Sequence, residues 1–317
     1  MHPKTLTIAL AGNPNSGKTT IFNNITGTRQ KVGNWPGVTV AKKEGRIHKY
    51  GYDLKIIDLP GTYSLTPFSI EEIVARNYVL DERPDVVVDI IDASNLERSL
   101  YLATQLRELD CKVLFALNMA DIARTRGMKI DGAKLSQLLD VPVVFTVGNK
   151  NEGIEVLLKQ AVKLAQTDAL PLKKRNVKYS KDIESAITRL QQFIEEKTDG
   201  NTPYNPRWTS IKLIEDDKII KERILQSANG PGLEILQTTQ ALRKHLEQRF
   251  DDDPQIVMTD ERYGFIAGIN KEIQTTSTQQ RVDVSRNIDL VLTNRFIGFP
   301  IFLFFIRAMF QLTFTLG

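Results

Sequence analysis

Eight consecutive residues near the start of the chain, Gly12-Asn13-Pro14-Asn15-Ser16-Gly17-Lys18-Thr19, have the types and spacing of a phosphate cradle. The pattern G-x-x-x-x-G-K-T lets backbone N–H groups turn inward onto phosphate oxygens. Lys18 supplies a compact positive charge for the outer phosphates, and the Thr19 hydroxyl is placed to ligate Mg2+. The apolar run Leu6 to Ala11 precedes the loop as a strand. A helix from Thr20 to about Gly27 follows and aims its positive end at the same anion.

Three short motifs follow in a fixed order. Asp58-Leu59-Pro60-Gly61 ends a strand, where Asp58 can hold Mg2+ through water and the Gly61 N–H can meet a γ-phosphate. Asn118-Met119-Ala120-Asp121 ends the next strand but one. A carboxylate at Asp121 accepts both the ring N–H and the amino group of guanine. Adenine lacks that donor pair and would leave the site's carboxylate unpaired. Thr146-Val147-Gly148, at the end of the last strand, is expected to bring a backbone N–H near the base carbonyl. Each motif is weak alone, but their order at the carboxyl ends of strands is where ligands bind in open α/β sheets. Gly33-Asn34-Trp35-Pro36-Gly37-Val38-Thr39 lies where a γ-phosphate sensor belongs. Thr39 is the candidate second hydroxyl on Mg2+, ordered with GTP bound. Glu71 and Glu72 read as the solvated start of a helix.

These residues need a scaffold, and the chain supplies one. Up to about Gln166, apolar strands alternate with helical patterns. Strands are expected at 6–11, 39–48, 54–57, 86–91, 113–117 and 141–147, the second and third forming a hairpin. Residues 28–38 read as a polar loop. Helices are expected at 69–80, 97–109, 132–139 and 153–166. This alternation predicts a P-loop G domain of the α/β class, a mostly parallel sheet with helices on both faces. Beyond the basic linker around Leu170 to Arg175 only helices are expected, at 180–197, 208–213, 216–227, 233–250 and 260–274. They form a small all-α domain, with Ser180 as a helix cap.

Composition bounds the rest. The 317 residues leave room for two domains, with 41% hydrophobic and 25% charged residues. A net charge of +4 does not call for a nucleic-acid partner. The single cysteine, Cys111, excludes a disulfide framework, and three scattered histidines show no zinc site. No signal peptide precedes the first strand. From Phe296 to Gly317 the chain is nearly all apolar, interrupted by Arg307 and Gln311. With Arg281, Arg286 and Arg295 just before it, this stretch is expected to start a membrane span, the preceding part lying on the cytoplasmic side.

The phosphate loop, Val32 to Val40, Asp58-Leu59-Pro60-Gly61 and Asn95-Leu96-Glu97-Arg98 together resemble the ferrous iron transporter B family. The resemblance implies a G domain at 1–168 and a helical domain that slows GDP loss at 169–259. A membrane-approach helix and linker at 260–295 and the start of the first transmembrane helix at 296–317 complete the division. It implies GTP and GDP as ligands, Mg2+ held by Thr19, Thr39 and Asp58, and K+ bound with help from Asn15. It implies residence in a bacterial inner membrane, ferrous iron as cargo of a membrane domain beyond this segment, and small accessory proteins as partners. The residues after Gly61 are Thr62 and Tyr63, and neither can copy the glutamine that orients water in many small GTPases. Water must then be positioned otherwise, most simply by backbone groups of the loop 28–39, and the cation that the resemblance implies near Asn15 could do an arginine finger's electrostatic work. Asn15, Lys18, Thr39 and Gly61 are the expected catalytic set. Thr20 joins the phosphate contacts. The family's last motif ends Ser-Ala, where this chain has Val147-Gly148. Two other readings stay open, a soluble GTPase associated with ribosome or tRNA, and a nucleotide-binding regulator that recruits a partner.

Overall fold

The computed structural model describes residues 4–27, 30–109, 111–167, 177–200, 202–227, 231–276 and 298–316. Strand β1, Thr5–Gly12, lies near the middle of a seven-stranded sheet. It continues through the phosphate loop into helix α1, Lys18–Thr26. β2, Gln30–Asn34, β3, Ala41–Lys49, and β4, Tyr52–Asp58, then build one side of the sheet. The other side takes β5, Val86–Asp92, β6, Val113–Asn118, and β8, Val143–Phe145, giving the order β2-β3-β4-β1-β5-β6-β8. Pairing is parallel from β4 through β8 and antiparallel between β2, β3 and β4. The chain builds outward in opposite directions from β1, so its carboxyl end is a topological switch point, where a ligand crevice opens.

Alternation along β1 feeds two apolar layers. Leu6, Ile8 and Leu10 pack with Ile21 and Phe22 of α1 and with Ile154, Leu157 and Leu158 of helix α6, Ile154–Gln166. Ala9 and Ala11 face the layer under helix α3, Leu96–Glu108, with Leu100, Ala103 and Leu106. Helix α2, Ile70–Asn77, starts at a capping box in which Ser69 and Glu72 satisfy each other's backbone N–H groups. Glu72 is thus a structural cap.

Some elements escape a reading of the sequence. β2 occupies part of the stretch expected as loop; all but its first residue are exposed, leaving no apolar alternation to detect. A short helix α4, Ala120–Thr125, follows β6, and β7, Met128–Ile130, precedes helix α5, Gly132–Leu139. β7 pairs with β9, Gln274–Thr276, in a region expected to hold helices only.

The remaining helices are α7, Lys181–Lys197, α8, Pro206–Ile214, α9, Lys218–Ser227, α10, Gly232–Phe250, and α11, Pro254–Ile273. The expected stripe Ile183, Ile187, Leu190 and Ile194 of α7 is buried. Ser180 sits at its N-cap without a side-chain bond. The helix expected from Asp260 begins at Pro254, where Asp253 caps the chain and proline fits the first turn. Contacts gather residues 1–275 into one compact unit and 276–317 into a second.

Buried ion pairs tie α7–α11 to the sheet's helices. The Arg262 guanidinium of α11 donates to Glu108 of α3 at 3.2 Å, to Glu215 at 2.8 Å and to the Tyr179 hydroxyl at 2.6 Å. Burial opposes ionisation of Glu215, yet Lys212 and Arg262 hold its carboxyl down to about 2. Arg76 of α2 pairs with Asp217, both out of solvent. Such pairs matter chiefly because losing one partner strands a buried charge, at about 3–5 kcal/mol.

The stretch expected to start a membrane span is helical from Gly298. The last helix, Gly298–Leu316, has 19 residues, and none of the helices among the described residues is long and apolar enough to cross a membrane. Arg307 and Gln311 interrupt its apolar run. The basic approach to it, residues 281–295, lies outside the described residues, as does the linker at 170–175.

Candidate nucleotide site

The site forms where β1, β4, β6 and β8 end. After β1 the chain turns with Gly12 at φ +152°, where a side chain would collide with the Ile90 carbonyl at 2.7 Å. Asn15 and Gly17 both adopt left-handed conformations, the second at the N-cap of α1. A side chain at Gly17 would meet the Asn118 amide at 2.2 Å, so glycine is required there twice over. Pro14, Asn15, Thr19 and Thr20 are exposed around the loop, while Asn13 and Ser16 are buried.

Lys18 lies almost out of solvent, its ammonium hydrogen-bonded to the Asp58 carboxylate at the end of β4. The first two motifs therefore converge on one spot. Leu59 and Thr62 donate backbone N–H groups to the carbonyls of Leu10 and Gly12, at 3.0 and 3.2 Å. Gly61 lies so close to Pro14 that an added side-chain carbon would stand 3.3 Å from it. The Thr19 hydroxyl and the Asp58 carboxylate are hard oxygen donors, the kind that Mg2+ takes.

Asn118 holds the base end together. Its amide donates to the Ser16 carbonyl at 2.8 Å, and its oxygen accepts from the Gly148 N–H at 2.9 Å and the Thr146 hydroxyl at 3.2 Å. Met119, at φ +59°, turns the chain into α4, whose first turn carries Asp121. Lys150 meets the Asp121 carboxylate at 2.9 Å, and this hydrogen bond, reinforced by the Ile122 N–H, holds the carboxyl below its usual range. The N–H groups of Val147 and Gly148 are engaged, with the Glu152 carbonyl and with Asn118. In this arrangement neither offers the N–H expected for the base carbonyl. Asn24 further clamps the loop by donating to the Gly148 carbonyl at 2.6 Å.

The sensor segment is only partly gathered in. Trp35 is buried, packed edge-on against Tyr78 with ring centres 5.2 Å apart. Its N–H and carbonyl close a turn over Pro36, Gly37 and Val38. Gly33 lies in edge strand β2, and Thr39 is exposed between β2 and β3. Among the hydrogen bonds of the described residues none ties Thr39 to Thr19 or Asp58.

A sequence reading missed Lys150 and Asn24, and gave Arg98 no role beyond its place in the motif Asn95-Leu96-Glu97-Arg98. The Asn13 amide donates to the Arg98 carbonyl at 3.2 Å, which places Asn95-Leu96-Glu97-Arg98 against the phosphate loop. The four-residue motif was itself the only signal of that contact.

Residues 6–161 match the model of ferrous iron transport protein B, and residues 179–275 match that of the FeoB cytosolic helical domain. A crystallised S. thermophilus NFeoB mutant bound to GDP is 39% identical, with a TM-score of 0.74, over 85% of this chain and 100% of that one. The chain belongs to the ferrous iron transport protein B family. The cytosolic domain of T. maritima FeoB in a GDP form is similar at 34% identity and a TM-score of 0.73, over 86% of this chain and 100% of that one. The Fe(2+) transporter FeoB of Salmonella typhimurium is 39% identical over 99% of this chain and 39% of its own length. A Porphyromonas gingivalis protein described as a fusion of Fe(2+) transport protein A with FeoB is 39% identical, over 98% and 37%. The chain thus spans about two fifths of the curated FeoB relatives it matches. Its N-terminal part is the FeoB P-loop GTPase domain.

Proposed function

We propose that this segment binds GTP with Mg2+ and hydrolyses it as the cytoplasmic switch of a ferrous iron transporter of a bacterial inner membrane. The observation that carries the reading is the convergence of Lys18 and Asp58 at the carboxyl ends of neighbouring strands, with Asp121 at the base end of the same crevice. Lys18 takes the outer phosphates, releasing Asp58 to the metal side, and the backbone of Gly12 to Gly17 wraps the inner ones. Thr19, Asp58 and Thr39 are the residues that would hold Mg2+, which would supply positive charge to offset that of the phosphates. Gly61 presents its N–H to the γ-phosphate, and Asp121 reads the base. Ferrous iron is the cargo of the rest of the transporter. A small accessory protein is a fitting partner, since a relative carries one fused to it.

Thr62 is buried with its N–H engaged, and Tyr63 faces Arg98, so neither orients water as an amide would. Asn15, left-handed and exposed on the phosphate loop, can lend its carboxamide oxygen to a monovalent cation, a K+ ion, that takes up developing negative charge. GTP turnover is therefore expected to be faster in potassium than in sodium. Asn15→Ala is expected to lose most of that stimulation, about tenfold or more, while GDP affinity stays within a few-fold. Turnover equal to the parent protein in potassium would remove the cation from the scheme.

A further inference from the structure

Helix α3 grips the segment that leaves Gly61. Gln105, fully buried, accepts from the Leu65 N–H, and its amide donates to the Thr66 hydroxyl at 3.3 Å. At the other end of the helix, the Arg98 guanidinium lies 4.0 Å from the centre of the Tyr63 ring. The carbonyl of the same residue accepts from Asn13 of the phosphate loop. Arg98 thus touches both the loop that cradles phosphate and the residue two places beyond the glycine assigned to the γ-phosphate. Packing alone does not pin Tyr63. It is 39% exposed, and a cavity of about 650 Å3 opens beside it, lined by Tyr63, Ser64, Thr66, Arg98 and Tyr101 among others.

We propose that Arg98 is a positioning residue for GTP hydrolysis. It acts through Tyr63 on the backbone of Gly61 and Thr62, and through its carbonyl on Asn13. Its backbone contact survives any substitution, so the separable part is the guanidinium on the ring. With no glutamine after Gly61, the placement of water depends on backbone groups, and a residue that fixes that backbone affects turnover more than binding. Glu72 does not share this task with it, because it is spent on the cap of α2. The inference rests on GTP hydrolysis at this site.

The test uses this chain with Arg98→Ala, Arg98→Lys, Tyr63→Leu, Tyr63→Phe and the Arg98→Ala/Tyr63→Leu pair. Steady-state GTP turnover in potassium, GDP affinity and melting temperature are measured for each. Arg98 is exposed, so its removal leaves the fold intact. Arg98→Ala is expected to lower kcat by about three- to tenfold, the range of one cation–π contact, with GDP affinity within twofold of the parent. Arg98→Lys recovers most of the loss, Tyr63→Phe loses less than Tyr63→Leu, and the pair loses no more than either single change. Unchanged kcat in Arg98→Ala, additive losses in the pair, or a fall in GDP affinity and melting temperature parallel to kcat would each overturn the proposal. A parent protein that binds GDP yet never turns over GTP would overturn the hydrolytic reading itself, and this inference with it.

Discussion

Asp121→Asn should transfer nucleotide preference from GTP to xanthosine triphosphate. The carboxylate offers two acceptors, matching the ring N–H and the exocyclic amino group of guanine. An asparagine offers one acceptor and one donor. Xanthine carries a carbonyl where guanine has its amino group, so the new donor meets an acceptor. Against guanine the same donor faces an amino group and leaves both unsatisfied. Sites built on such polar matching discriminate by large factors, and a shift in relative affinity of about 100-fold or more is expected. Lys150 adds a second consequence. Its ion pair holds the Asp121 carboxyl below its usual range, and the substitution leaves Lys150 an unpaired cation beside the polyanionic ligand, so the dependence of binding on salt should strengthen as well. Competition titrations of the two triphosphates against a fluorescent GDP decide the matter. Unchanged selectivity would detach Asp121 from the base.

Asp89→Asn should change how stability depends on pH. Asp89 stands in the middle of β5, between Ala11 of β1 and Phe115 of β6, and is 1% exposed. One carboxyl oxygen has no hydrogen-bond partner, and burial pushes the group up to about 8. An unfolded aspartate titrates near 3.9. The folded protein therefore keeps a proton that the unfolded chain gives up, from about pH 4 to about pH 8. Below that window Asp89 contributes no penalty. As pH rises through it, stability falls by about 1.4 kcal/mol per unit, and the loss between pH 5 and 8 is on the order of 3–4 kcal/mol. Asparagine has no proton to lose. Urea denaturation of the two proteins at pH 5, 6.5 and 8 should show curves that diverge toward alkaline pH in favour of the variant. Curves that stay parallel would mean that Asp89 is ionised in the folded state.

The phosphate loop and the hairpin after it were legible because they depend on local pattern: glycines at fixed spacing, and alternation broken by Tyr50-Gly51. The stripe of α7 was legible for the same reason. What stayed hidden depends on distant partners. β2 is an edge strand specified by pairing with β3, and its exposed residues carry no periodic signal. The charges of Glu108, Glu215 and Arg262 look like solvated helix faces until the fold brings three elements together and buries them. In the candidate site, residue types marked out Lys18, Asp58 and Asp121, and the fold brings the first two together. The contacts of Asn24, Arg98 and Lys150 arise only from loops meeting across the sheet.

Asn118 carries a consequence for exchange. One carboxamide joins the Ser16 carbonyl on the phosphate side to the Gly148 N–H on the base side. A fragment that orders either loop therefore lowers the ordering entropy left for the other. Guanosine and pyrophosphate, added together, should bind more tightly than either does alone. Departure of GDP should be a single concerted event, because the nucleoside and the diphosphate are released by the same loosening.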